Sequence, residues 1–285
     1  MAKIRTKPII SICWPVRFRF EILRNDPIFY LSTKIGFNPR RLKTMSDNFG
    51  YQQPTVQRAG TSVDAGLKAH MQSVYNRMTA GVFITALTAY IVSSSQALMT
   101  LFLGGPQAFI IMLAPLAIVW FGFRPERMTP SQLRLSFIAL SVLYGISFAT
   151  IFAAYTTASI AQAFFMATAL FAGLSIFGYT TKKNLDGLGT FAVMGVIGVL
   201  VLSLGTMVAG MFGVDVSMMQ TVISGIGLLA FSGITAWQTQ TTKEMYHPSY
   251  GDDANSRMGW AAALNLYISF IAIFQYLLHF VGNRE

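Results

Sequence analysis

The chain has 285 residues, of which 53% are hydrophobic and only 11% charged, with a mean hydropathy of +0.52. A soluble domain carries about 25% charged residues, so this composition is that of a membrane protein. The formal net charge of +10 is concentrated in residues 1–44, where ten Lys/Arg face only Glu21 and Asp26, while the rest of the chain holds 11 basic against 9 acidic side chains. That distribution excludes nucleic acid as a partner and leaves a nearly neutral body whose partner is the lipid bilayer. A single cysteine, Cys13, allows neither an internal disulfide framework nor a cysteine metal cluster.

Residues 1–44 lack a sustained helical period, and Pro8, Pro15, Pro27 and Pro39 interrupt any helix there. The apolar run 9–16 contains Pro15 and no small-residue cleavage site follows it, which argues against a signal peptide. The segment reads as a disordered basic leader, or as residues upstream of a start at Met45. Its rival reading is a basic arm against anionic lipid heads. Residues 45–78 read as a polar cytoplasmic tail with a short amphipathic helix over 65–77 (AGLKAHMQSVYNR).

Seven apolar stretches follow within 79–285, at about 79–103, 107–123, 135–155, 160–179, 188–212, 218–237 and 261–281. Each is long enough to cross roughly 30 Å of hydrocarbon, the second only barely. Gly104, Gly105 and Pro106 break the chain after the first, and Pro115 predicts a kink in the second. Lys and Arg fall only in alternate short loops: Arg124, Arg127 and Arg134, then Lys182 and Lys183, then Lys243 and Arg257. The positive-inside rule therefore predicts a cytoplasmic N-terminus and a C-terminus on the outer side. Ser141, Gly145, Ala149 and Ala153, and again Gly205, Ala209 and Gly213, recur every four residues and predict close helix approach.

Catalytic chemistry is missing from the pattern. No acidic residue lies inside a predicted span, there is no H-E-x-x-H, no G-x-S-x-G and no P-loop, and the only histidines are His70, His247 and His279. Asp252 and Asp253 with Glu244 lack the spacing of an EF-hand and read as a solvated loop. The chain is expected to be no enzyme, with no cofactor and no metal.

The seventh stretch is the wettest, carrying Asn265, Ser269 and Gln275, with His279 near its end. Asn265 and Ser269 are four apart and share one helical face. Polar groups at membrane depth are costly unless they face protein or a wet cavity. Together with Gln240 on the sixth stretch, these residues read either as a buried interhelical hydrogen-bond seam or as the lining of a solute path.

Residues 143–191, with G-Y-T-T-K at 178–182, resemble the mid-segment of bacterial Bax inhibitor-1/YccA-type proteins. FSGITAWQTQTTKEMY (231–246) and ALNLYISFIAIFQYLLHFVG (263–282) resemble that family's last two spans. The resemblance runs in order from about Tyr75 to Arg284. It implies an all-α integral membrane protein, a seven-helix bundle with the last helix central, in a bacterial inner membrane. It further implies an association with calcium leak, with protection against cell death in eukaryotes, and with restraint of the FtsH membrane protease in bacteria. The leak is attributed to two Asp residues, in T-A-Y-D-T-Q and L-Y-L-D-F. Here those motifs read T-A-W-Q-T-Q and L-Y-I-S-F, which puts Gln238 and Ser269 at the two latch positions. Neither side chain titrates in the physiological range, although each can donate and accept a hydrogen bond. The expectation is a regulatory or interaction protein acting on membrane-protein quality control through an FtsH-type protease. The alternative is a Ca²⁺ leak along a neutral polar path.

Overall fold

A computed structural model describes residues 56–282, and the expectations for residues 1–44 and for Met45 lie outside them. Eight α-helices carry the described chain: α1 Val56–Ser93, α2 Gln96–Leu103, α3 Gln107–Ala117, α4 Pro130–Ala154, α5 Thr157–Thr180, α6 Asp186–Met211, α7 Ser217–Met245 and α8 Gly251–Val281. The chain divides into two units at residue 65, and the bundle described below is the unit beginning at Gly66.

Five helices, α4 to α8, are long and apolar enough to cross a membrane, and the bent pair α1–α2 counts as a sixth by the same measure. The stretch 79–103, expected as one helix, is therefore two, meeting at 106°. The cause is the run Ser93–Ser94–Ser95. Ser93 Oγ and Ser94 Oγ donate back to Tyr90 O at 2.9 and 2.7 Å, and Ser95 takes an extended backbone (φ −121°). Serine hydroxyls that bond the helix's own carbonyls offer the chain an alternative to continuing, and three in succession end it.

The next stretch also departs from a plain helix. Pro115 lies inside α3, and the following turn, Ile118–Gly122, widens to a π-helix. Proline removes one backbone donor, and a π turn is a local accommodation of that kind.

Two polar stretches expected to be loops are helical. Thr129–Pro130–Ser131–Gln132 opens α4 five residues before the apolar stretch, through a capping box in which Gln132 N donates to Thr129 Oγ1 and Thr129 N to Gln132 Oε1. Likewise α8 begins at Gly251, ten residues before the apolar stretch. Asp252 and Asp253 stand in its first turn, where carboxylates complement the positive end of the helix. The Asn184–Asp186 and Asp215–Ser217 contacts start α6 and α7 similarly. Ser217 N donates to Asp215 Oδ1 at 3.0 Å, and that bond holds the Asp215 carboxyl below its usual range.

The helix α8 is the axis of the bundle. Of its membrane-length window 78% is buried, against 22–33% for the other four crossing helices. Its neighbours are α1, α4, α5 and α7, met by Tyr267 against Thr85, Phe137 and Tyr144, Phe274 against Phe148, Phe270 against Phe164 and Phe171, and Tyr276 against Phe231. On the outside, α6 packs against α7, with Ala192, Val193 and Val196 against Ala230 and Ile234. Its other face exposes Phe191, Met194, Leu204, Met207 and Met211, as a lipid-facing helix does.

The first small-residue stripe packs as expected at Ser141, Gly145 and Ala149, all buried, whereas Ala153 is exposed. The second does not pack: a methyl group on Gly205 would meet nothing within 4 Å. Gly213 serves instead as a helix stop, at φ +78°, with Val214 N bonded to Ala209 O and Gly213 N to Gly210 O. That pattern is a Schellman cap, which favours glycine.

Candidate functional site

The α7–α8 contact is built from a segment, ITAWQTQTT, whose polarity is unusual for a buried helix. Most of it is absorbed locally. Thr235, Thr239, Thr241 and Thr242 each donate to the carbonyl four residues back, at 2.7–3.0 Å. These bonds satisfy the hydroxyls and let Thr235 and Thr239 sit fully buried. Gln238 and Gln240 are left to act outside the helix, and two positions apart they point to different sides.

Gln238 points at α8. Ser269 Oγ donates to Gln238 Oε1 at 2.8 Å, with Ser269 only 1% exposed and Gln238 half-buried. The two positions singled out by the family motifs are thus joined directly by a neutral hydrogen bond across a packed interface.

Gln240 turns the other way and closes on the α5–α6 loop. Its Oε1 accepts from Leu185 N at 2.8 Å and its Nε2 donates to Lys183 O at 2.9 Å. Trp237 Nε1 donates to Asp186 Oδ1, and Lys243 Nζ donates to Tyr179 O at 3.1 Å with its charge 5.0 Å from the Tyr179 ring. One end of α7 is therefore stapled at three places: to the last turn of α5 at Tyr179, to the α5–α6 loop at Lys183 and Leu185, and to the first residue of α6, Asp186. Asn265 is half-buried one turn before Ser269, and Gln275 is exposed. Neither Gln240 nor Gln275 joins the Gln238–Ser269 pair in one polar line.

A second polar node sits on the opposite side of α8. Tyr267 is two residues from Ser269 and so faces α1 and α4. Its hydroxyl lies 2.7 Å from Thr85 Oγ1, which in turn is 2.9 Å from Ser141 O and 3.0 Å from Gly81 O. Tyr267 and Ser141 are fully buried, and Thr85 nearly so. Sequence reasoning missed this node because Thr85 and Ser141 lie in apolar runs; the tyrosine of L-Y-I-S-F was the available signal. Thr85 has one proton and two carbonyls within reach, so the Tyr267 hydroxyl is the donor in their shared bond.

A double-mutant cycle reads the asymmetry of this bond. Tyr267→Phe is expected to cost about 0.5–1.5 kcal/mol, since Thr85 keeps a carbonyl partner. Thr85→Val should cost more, about 1–3 kcal/mol, because the buried Tyr267 hydroxyl then keeps only the Ser141 hydroxyl within its reach. The pair of changes should recover part of that loss, as measured by thermal unfolding of the detergent-solubilised protein.

At the start of α8, Arg77 Nη1 donates to Ser256 O at 3.1 Å and its guanidinium lies 4.5 Å from the Trp260 ring centroid. Among the described residues no three His, Cys, Asp or Glu side chains are grouped so as to hold a metal ion.

Comparison with known proteins agrees with this architecture. A protein of Caulobacter vibrioides is 37% identical over 255 residues, covering 84% of this chain and 98% of its own length. A protein of Rickettsia prowazekii is 33% identical over 232 residues, 81% of this chain and 96% of its own. The Inner membrane protein YbhL of Escherichia coli K12 is 33% identical over 226 residues, 78% of this chain and 94% of its own. The family model described as "Inhibitor of apoptosis-promoting Bax1" matches residues 67–285. With its central last helix and its match over nearly the whole bundle, the chain is a multi-pass membrane protein belonging to the Bax inhibitor-1 (Bax1-I) family.

Proposed function

We propose that this chain is a regulatory protein of a bacterial inner membrane, modulating membrane-protein quality control through an FtsH-type protease, and is not a cation leak. The observation that carries this reading is the 2.8 Å bond from Ser269 to Gln238, a neutral pair at the two positions where the family resemblance expects titrating carboxylates. A cation path in low dielectric needs fixed negative charge or aligned carbonyls. At Gln238 and Ser269 there is neither, and Gln240 is engaged by backbone groups of a loop. The name of the Escherichia coli relative, an inner membrane protein, supports the compartment.

The test is co-reconstitution in liposomes. With the FtsH-type protease present, this chain should co-purify with it and slow degradation of a membrane substrate. In its absence, liposomes carrying the chain should pass no more Ca²⁺ than protein-free ones. Ca²⁺ flux without any effect on proteolysis would reverse the assignment in favour of the leak.

The same reading places the ends bearing Lys182, Lys183, Lys243 and Arg257 on the cytoplasmic side. In a Cys13→Ser background, Asp215→Cys is expected to react with an impermeant thiol reagent from outside. Lys183→Cys and Asp252→Cys should react only after lysis. External labelling of Asp252→Cys would reverse the orientation.

A further inference from the structure

At the end of the bundle that bears Lys243 and Arg257, α1 is docked on α7 and α8 by residues of one helical face. Gly66 lets the Tyr246 hydroxyl, just past α7, lie against α1, and a methyl group at Gly66 would strike it. His70, one turn on, is half-buried with its ring centroid 5.2 Å from that of Tyr246. Arg77, two turns further along the same face, donates from Nη1 to Ser256 O and lies over the Trp260 ring. Both side chains cross α8 at Gly259, where a methyl group would meet Arg77 Nη1 at 2.7 Å and His70 Cε1 at 3.3 Å. The titratable groups facing His70 are therefore Arg77 from its own helix and Tyr246 from the end of α7, while Gly259 brings no side chain from α8. His70 Nε2 is buried and has no hydrogen-bond partner among the described residues. Asn255 Oδ1, one turn before Gly259 on α8, is likewise buried and unbonded, so it does not serve Nε2.

We propose that His70 is an acid-operated release: protonation of its ring unseats residues 66–77 of α1 from Tyr246 and from the start of α8. The neutral ring can carry its one proton on Nδ1 and leave Nε2 bare in the contact. An imidazolium has a donor on both nitrogens, so an N–H is buried there without an acceptor whichever nitrogen took the proton. It also sets a second cation beside Arg77, over the same glycine. Burial, and then the charge of Arg77, hold the His70 imidazole below its ordinary range. A base depressed in this way takes its proton more readily once undocked. Docking is therefore complete above about pH 6.5 and weakens as the pH falls below it, by up to about tenfold per unit. The release is separate from the Gln238–Ser269 pair, carries no ion and does not depend on the regulatory role proposed above.

Spin labels on the full chain in nanodiscs provide the test, through Ala69→Cys and Lys182→Cys in a Cys13→Ser background, both positions being exposed. Distance measurement by pulsed electron paramagnetic resonance should give one docked distance at about pH 7.5. A second distance should grow in reversibly between about pH 6.5 and 5, above the range in which ordinary carboxylates titrate. His70→Gln, which does not titrate, should hold the docked distance throughout. His70→Phe, which keeps a ring against Tyr246, should do the same and covers a glutamine that fails to dock. His247→Gln should respond like the unaltered protein, since His247 is exposed and bonded to Ser249. A docked distance unchanged down to about pH 5 in the unaltered protein would overturn the proposal. So would an acid response that persists in both His70 variants, or one that His247→Gln abolishes.

Discussion

Replacing Gly178 by alanine is expected to destabilise the protein by about 1–3 kcal/mol, although alanine is the better helix former. Gly178 is where α5 passes closest to α7: a methyl group there would press on the carbonyl oxygen of Ala236. The obstacle is backbone, so it cannot rotate away as a side chain tip would. Gaining helix propensity is worth at most about 1 kcal/mol, which the steric cost exceeds. Gly173 lies on the same helix with nothing within 4 Å of its would-be methyl group, so Gly173→Ala should be neutral or slightly stabilising. Apparent melting temperatures in detergent, read by loss of the monodisperse species on heating, separate the two. Equal behaviour of both variants would mean that α5 and α7 have room to part. Because Ala236 is two residues from Gln238, Gly178→Ala should also disturb the α7–α8 hydrogen bond, through the position of α7.

The crossing helices were legible because hydrocarbon imposes a length and a composition that few other constraints imitate. The predicted limits failed where polarity was equated with loop. Thr129–Pro130–Ser131–Gln132 is a capping box with proline in the first turn, a helix start written in the sequence, and α4 begins there. The acidic start of α8 carries the same kind of signal in Asp252 and Asp253. The break at Ser93–Ser95 was harder to see, because isolated serines are tolerated in membrane helices and only their succession stops one.

Long-range pairing was not legible at all from periodicity. Tyr267 meets Thr85 across 182 positions, and nothing local to either distinguishes a paired hydroxyl from an ordinary one. The contact of Gln238 with Ser269, 31 positions apart, was foreseen only through the family motifs. Gln240 carried the same side chain two residues on, and its task, holding the loop through Lys183 and Leu185, could be assigned only once α5 and α6 were in place.

Restoring both carboxylates, by Gln238→Asp together with Ser269→Asp, is expected to give the protein an acid-sensitive Ca²⁺ flux that the native chain lacks. The native side chains accept and donate at 2.8 Å without titrating, so no change in flux is expected between about pH 6 and 8. Two carboxyl groups in their place would share one buried contact. The first proton leaves readily and the second is held, by repulsion from the charge already formed and by poor solvation, so the pair titrates as a unit. Raising the pH through that second step puts two like charges into a packed interface and should push α7 and α8 apart; lowering it should restore the shared proton and close them. Each single Asp variant serves as the control. A lone carboxyl beside a neutral partner at this depth stays protonated, can still hydrogen bond, and should leave flux unchanged. Liposomes loaded with a calcium indicator, assayed across that pH range, separate the three variants. A pH-switched leak in the native protein would sink the argument, since it would require a sensor elsewhere in the bundle. A double variant that stays silent while folded would mean that the latch positions do not gate the α7–α8 contact in this chain.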